Sequence, residues 1–372
     1  MTTSDDLREM QPPARDLLDG LLGYVEPRLA GAGDRAWLPY GTFPSIERLT
    51  VTADTPPSSR LTCDVAMGFL VAGRLDVAAA LLRHAFDRQG DDGRFVWNYG
   101  QWETDQVDLG TVLDTYAYAL AVGGEALPTD VRDGIVRSTR RAIAFLDTMH
   151  QPDHPGVIQK RAADPDHPGA RRTADYCTVD ILNGNALAVT AYCRGATILG
   201  EPVLVDRAAL FVGNLAARFG AHIDGWWAYA ERLDDRSMLT AESILYQAMT
   251  ALYLEPLYRA RPAATLRTLL RDALATPADV TDAEGRLDWS HEARKDFVGT
   301  QLLMLPSAAA ALADVADATA AGLRRLRVVA GRLADPDTGL MLNEDGSVAD
   351  ELRQIWAISD LALILLFAER ML

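Results

Sequence analysis

The stretch Asp91-Asp92-Gly93-Arg94-Phe95-Val96-Trp97-Asn98-Tyr99-Gly100-Gln101-Trp102-Glu103-Thr104-Asp105-Gln106-Val107-Asp108-Leu109-Gly110 runs straight into an apolar segment, Thr111 to Val122. It reads as an acidic turn at a glycine, a short aromatic strand, a polar loop and then a helix. The same order returns along the chain. Asp224-Gly225-Trp226-Trp227-Ala228-Tyr229 leads through Asp234-Asp235-Arg236 into Ala241 to Tyr258. Glu284-Gly285-Arg286-Leu287-Asp288-Trp289 leads through His291-Glu292 into Phe297 to Leu312. Weaker copies are Pro155-Gly156-Val157-Ile158 before Thr178 to Ile198 and Thr338-Gly339-Leu340-Met341 before Leu352 to Leu372. Tyr40-Gly41-Thr42-Phe43 before Leu61 to Val71 makes six.

The glycine-to-glycine intervals are 52, 63, 69, 60 and 54 residues, too irregular for a fixed solenoid repeat but consistent with six related units with variable loops. Each interval holds a second helical pattern, which makes the unit a helical hairpin. Leu61 to Val71 pairs with Val77 to Phe86 across Gly73, and Val107 to Val122 with Val131 to Met149 across Gly123-Gly124. Thr178 to Leu199 pairs with Val205 to Phe219, Ala241 to Tyr258 with Ala263 to Leu274, and Phe297 to Leu312 with Ala318 to Leu333. Residues 13 to 31 repeat leucines at three- and four-residue spacing after Pro12-Pro13, which suits a helix start there. Set against the last helix, Glu351 to Leu372, they close a ring of twelve. The expected fold is all-α: one (α/α)6 toroid domain over residues 1–372, with short strands in the mouth loops. The helices after the turns, apolar nearly all round, form the inner ring. Their amino-terminal ends open at one mouth, and the cavity they share is the expected site.

A formal charge of −16 opposes binding to nucleic acid and anionic lipid. A small-molecule substrate is the expected partner. The amino terminus lacks the basic start and apolar core of a signal peptide, and no stretch offers about 18 uninterrupted apolar residues for a membrane span. Cys63, Cys177 and Cys193 are too few and too uneven for a disulfide framework. A cytoplasmic location is therefore expected. The basic residues are arginine apart from Lys160 and Lys295, which reads as compositional bias.

With the hairpins in place the chain resembles the six-hairpin toroid enzymes: glycoside hydrolases, unsaturated-uronyl hydrolases and sugar epimerases on one side, terpenoid cyclases and prenyltransferases on the other. The segment Phe86 to Phe95 is similar to the Gln-x-x-Asp-Gly-x-Trp repeats of terpenoid cyclases, and Leu113-Asp114-Thr115-Tyr116-Ala117-Tyr118-Ala119-Leu120 extends that likeness. The sequence has no Asp-x-Asp-Asp motif, so cyclase residues are not carried over. The cysteines lack the Cys-His-Gly neighbours of the zinc-bearing lanthipeptide cyclases, and neither metal nor cofactor is implied. Trp226-Trp227-Ala228-Tyr229 with Asn183-Gly184-Asn185-Ala186-Leu187 resembles the sugar-active group, in which mouth aromatics stack on pyranose faces. That resemblance implies sugar chemistry.

Glycoside cleavage needs two carboxyl groups, one protonated and one ionised. Asp105, Asp108, Asp175, Asp180, Glu242, Asp296, Asp350 and Glu351 precede or begin inner helices, where capping and the helix dipole also favour acids. Asp108 and Asp180, each between apolar neighbours, stand out as the catalytic pair, expected roughly 5–9 Å apart across the mouth. Glu242 joins them because Tyr246 lies four residues on, along the same helix face. Strand alternation puts Trp97 and Tyr99 on one side, and likewise Trp227 and Tyr229, facing the mouth with Trp226 behind. Trp102, Asp105, Tyr246 and Trp289 complete the expected binding set, with His291 as a proton carrier. The basic cluster Lys160-Arg161 and Arg171-Arg172 reads as an exposed loop or as a cover that pairs with a substrate anion. The reading is a glycosidase-like enzyme. The alternatives are a cyclase or isomerase of an apolar substrate in an aromatic sac, and a toroid that only binds a ligand.

Overall fold

The computed structural model describes residues 3–45, 58–95, 103–159, 161–163 and 178–371. All six turn glycines, Gly41, Gly93, Gly156, Gly225, Gly285 and Gly339, adopt positive φ between 73° and 98°. Only glycine reaches that region without a side-chain penalty. The helices follow as the turns demand. After α1 (Thr3–Val25) come five pairs: α2 (Ser59–Val71) with α3 (Leu75–Asp87), α4 (Gln106–Gly123) with α5 (Thr129–Asp147), α6 (Leu182–Leu199) with α7 (Val203–Arg218), α8 (Ile244–Ala260) with α9 (Ala264–Asp279), and α10 (Met304–Ala311) with α11 (Thr319–Arg332). Helix α12 (Glu351–Met371) ends the ring.

The even-numbered helices pack each on the next, and α12 returns to α2, so the inner ring closes. Helix α1 packs on α11 and α12 and fills the outer ring at the same seam. The turns explain the spacing of the outer ring. A Cβ at Gly93 would strike the carbonyl of Arg141 in α5, one at Gly156 that of Leu210 in α7, and one at Gly285 that of Arg324 in α11. At Gly339 it would strike the backbone of Gly20 in α1. These four turns thus lie directly on the backbone of the next outer helix.

Amide side chains at the starts of inner helices hold the residue two places after the turn glycine. Asn185 accepts the Ile158 N–H at 3.1 Å, Gln247 that of Trp227 at 3.1 Å, and Gln354 that of Met341 at 2.9 Å. These buried amides satisfy backbone groups that would otherwise be stranded.

Among the described residues, seven three-residue strands decorate the ring. β1 (Ala30–Ala32) pairs with β2 (Arg35–Trp37), and β3 (Glu103–Asp105) with β4 (Arg161–Ala163). β5 (Val179–Ile181), β6 (Ala230–Arg232) and β7 (Met238–Thr240) form an antiparallel sheet before α6 and α8.

Three expectations change. Helix α1 begins at Thr3 and runs through Pro12 and Pro13, because its buried face of Leu7, Met10, Ala14, Leu17, Leu18 and Leu21 is continuous across them. Packing here outweighs the missing proline donors. The inner helix expected from Phe297 begins only at Met304, after Gly299 and Leu302 take positive φ. Trp226 makes one isolated bridge to Ile223, so residues 226–229 are not a strand and side-chain alternation does not apply to them. No helix among the described residues is long and apolar enough to cross a membrane.

Candidate functional site

A cavity of about 270 Å³ lies at the amino-terminal ends of the inner helices. Its outer layer is one residue from the start of each: Arg60, Val107, Asn183, Leu245, Met304 and Leu352. One turn deeper come Asp64, Thr111, Met249 and Trp356, and deeper again Tyr253 and Asp360. All six inner helices therefore contribute, as the toroid geometry requires.

One wall is aromatic. Tyr229, just before β6, stacks on Tyr246 of α8 with ring centres 4.4 Å apart and planes at 20°. Tyr246 meets Phe297 edge-on at 5.6 Å, and Phe297 leans on Trp356 at 6.4 Å. Arginines are inserted along this wall. Arg294 lies 5.3 Å over Tyr229 and holds Asp296 through two hydrogen bonds of 3.2 and 3.1 Å. Arg60 lies 5.5 Å over Trp356 and 3.7 Å from the Asp64 carboxylate. The wall offers flat faces and charged hydrogen-bonding groups side by side.

The Arg294 loop is tied to α8 by Glu292, which is wholly buried. Its carboxylate accepts from the Ser243 hydroxyl at 2.8 Å, the Leu245 N–H at 3.4 Å and the Arg294 N–H at 3.0 Å. Burial raises its pKa, and these hydrogen bonds oppose the rise.

The floor is acidic. Asp64 is 4% exposed and Asp360 7%. Burial pushes Asp64 up to about 6, against the opposing pull of Arg60. Burial and the nearby Asp64 charge push Asp360 up to about 8. Beneath them Asp114 is held by Arg194 at 2.7 Å, and Arg194 also donates to the Tyr118 hydroxyl. Asp64, Asp114 and Asp360 each stand within an apolar run of their helix.

Of the expected acids, Asp180, Asp108 and Glu242 stand apart from the cavity lining. Asp180 in β5 is fully buried, and its carboxylate takes the Arg236 guanidinium at 2.6 Å, Asn185 at 2.7 Å and Asn214 at 2.9 Å. Glu231 beside it takes Arg218 at 2.7 Å and His222 at 3.2 Å. This is a neutralised cluster that pins the three-stranded sheet to α6 and α7. Asp108 is fully buried in the first turn of α4, near the hydroxyl of the half-buried Tyr40, whose pKa rises through desolvation and the charges of Glu351 and Asp108. Glu242 meets His291 Nδ1 at 3.3 Å, and the His291 ring stacks on Trp226 at 5.3 Å.

Tyr229 and Tyr246 line the cavity. Trp227 does not: its indole donates to the Leu215 carbonyl at 2.8 Å and packs edge-on against Phe219, so it faces the outer ring. Trp289 turns outward to Glu344, at 3.0 Å. The backbone of Asp105 pairs with Arg161, so the basic insertion does reach a mouth strand. Its side chain, together with Trp97, Tyr99 and Trp102, lies outside the described residues, as do Asp175, Lys160, Arg171 and Arg172. Asp64 and Asp360 stand outside the expected set because they lie deeper along their helices rather than at the starts. The available signal was a lone carboxyl in an apolar helix, which has no solvent face to turn to.

The fold is the (α/α)6 toroid, and solved structures of that fold superpose over nearly the whole chain. D-mannose isomerase matches with a TM-score of 0.67 at 13% identity, covering 95% of this chain and 96% of the other. Cellobiose 2-epimerase from Bacillus thermoamylovorans B4167 gives 0.68 at 11%, covering 96% and 99%. An unsaturated glucuronyl hydrolase specific for heparin gives 0.64 at 12%, covering 98% of each. No family model matches the chain, and no curated protein sequence does.

Proposed function

We propose that this chain is a carbohydrate-active enzyme that processes one sugar ring in the axial cavity by acid/base chemistry. One observation carries the reading: a cavity built by all six inner helices joins a stacked aromatic wall to two arginines and three carboxyls. Aromatic faces suit the C–H faces of a pyranose, and arginine and carboxylate groups suit its hydroxyls. The volume is at the low end for small-molecule pockets and fits one ring rather than a chain. The structural neighbours, an isomerase, an epimerase and a glucuronyl hydrolase, support the same substrate class. A cyclase reading has less support, since three carboxyls and two arginines make a poor lining for an apolar substrate.

Between hydrolysis and epimerisation we favour hydrolysis, since a buried carboxyl that holds its proton near neutral pH suits protonation of a leaving oxygen. Product analysis tests this. The protein is incubated with D-mannose, cellobiose and a panel of nitrophenyl glycosides, and products are separated by chromatography. Cleavage is the expected result, and conversion without cleavage would replace hydrolase by epimerase. Tyr246→Ala and Arg294→Ala should raise KM about ten-fold or more with smaller changes in kcat, since the wall binds rather than reacts.

A further inference from the structure

We propose that Asp64 and Asp360, which meet at the floor of the axial cavity from neighbouring inner helices, are its catalytic base and acid, acting across one glycosidic bond. The assignment rests on the sugar reading above and names the groups that would do the chemistry.

The geometry distinguishes these two carboxyls from the other buried acids. They come from α2 and α12, which pack together where the inner ring closes. Both line the cavity. Ser359, next to Asp360, hydrogen-bonds Asp64, so the two acids share one corner of the floor. Their partners differ. Asp64 has Arg60 one turn earlier on its own helix, at 3.7 Å, a cation that favours its ionised form. Among the described residues, the hydrogen bond at Asp360 is to its backbone carbonyl, which accepts from the Ser307 hydroxyl at 3.0 Å. Its carboxyl lines the cavity, where burial and the Asp64 charge outweigh the opposing pull of Arg60.

Two nearby carboxyls with a single cation between them keep one proton. Arg60 assigns the charge to Asp64 and the proton to Asp360. The other charged or titratable groups facing this corner are Asp114 from α4 and Tyr253 from α8. Asp114 is already held by Arg194. Burial leaves Asp64 titrating near 6 and Asp360 near 8, so between those values one is a base and the other an acid.

The step balances without a co-reactant. Asp360 gives its proton to the glycosidic oxygen as the bond from that oxygen to the anomeric carbon breaks. A water oxygen bonds to the anomeric carbon, and Asp64 takes the proton that the water loses. Asp64 is then protonated and Asp360 ionised, and return of one proton from Asp64 to Asp360 restores the starting state.

The test uses the full chain and the glycoside panel. Asp360→Asn and Asp64→Asn should each lower kcat by about 10²–10⁴-fold while circular dichroism stays unchanged. Wild-type rates should follow a bell in pH, with limbs near 6 and 8 set by Asp64 and Asp360. A readout without substrate runs alongside: carbon-13 NMR of aspartate carboxyls should show two groups titrating above pH 5, and Asp64→Asn should move the higher one down. If wild type cleaves a glycoside and either variant keeps within about three-fold of its turnover, the pair is overturned and the sugar reading stands. If both carboxyls titrate below pH 5, the pair is overturned whatever the substrate. A wild type inert towards the whole panel overturns the sugar reading and this assignment with it.

Discussion

Asp180 and Asp360 are both carboxyls buried in the ring, and they live in opposite surroundings. Asp180 is held by one guanidinium and two amides, with a second carboxylate and two more basic side chains beside it. Asp360 looks into a cavity and shares its corner with another acid. Burial alone does not distinguish these two carboxyls. What separates them is whether neighbouring donors have already committed the carboxylate to its charged form.

The contrast breaks most visibly at Arg236. Replacing it with Ala leaves Asp180 and Glu231 buried with one cation fewer, and we expect about 3 kcal/mol of lost stability by urea unfolding. The loss should be lower than for a bare ion pair because two amides still hold Asp180. A loss below about 1 kcal/mol would show that the cluster is not what pins the sheet.

The second effect has the opposite sign. The folded-state pKa of Asp360 lies above the ordinary carboxylate value, so its contribution to stability is full at low pH and falls as pH rises from about 3.8 towards about 8. Asp360→Asn removes that loss. The variant should melt a few degrees above wild type at pH 8, and the gap should shrink at pH 5. A gap independent of pH would mean that Asp360 is not held protonated.

The smallest effect should come from Asn214→Ala, which removes one hydrogen bond to Asp180 from a part-buried amide. About 1 kcal/mol is expected, with turnover unchanged, since this cluster lies outside the cavity lining.

The ring was legible in the sequence because its punctuation is steric. Gly93, Gly156, Gly285 and Gly339 are fixed both by positive φ and by the helix backbone they touch, so glycine recurs where little else repeats. Helix limits were legible wherever the apolar run and the turn agreed. They failed at Met304, where Gly299 and Leu302 delay the helix, and at Pro12, where a buried face overrides a breaker. The site was legible only as a place. Helix starts mark the mouth, and Tyr246 lies near one, whereas Tyr229 reaches the cavity although the alternation that pointed to it does not apply to residues 226–229. Yet acids at helix starts also serve as caps and anchors, and the sequence does not separate those uses at Asp108 and Asp180; the partners of Asp180 appear only in the fold. Asp64 and Asp360 lie deeper, in the middle of apolar runs, where the count of apolar neighbours hides a single charge. Trp227 was misread because alternation presumes a strand, and the chain there makes only one bridge.

The contact of Gly339 with Gly20 has a bearing on synthesis. The outer partner of the last turn is the first helix, so the α1 surface that meets α11 and α12 has nothing to cover it until the final hairpin has left the ribosome. Until α11 and α12 are made, Leu7, Met10, Leu17, Leu18 and Leu21 wait as an amphipathic stripe without that cover. A nascent chain stalled before residue 319 would carry an open seam. Chaperone capture of such stalled chains should fall when the last two helices are supplied in trans.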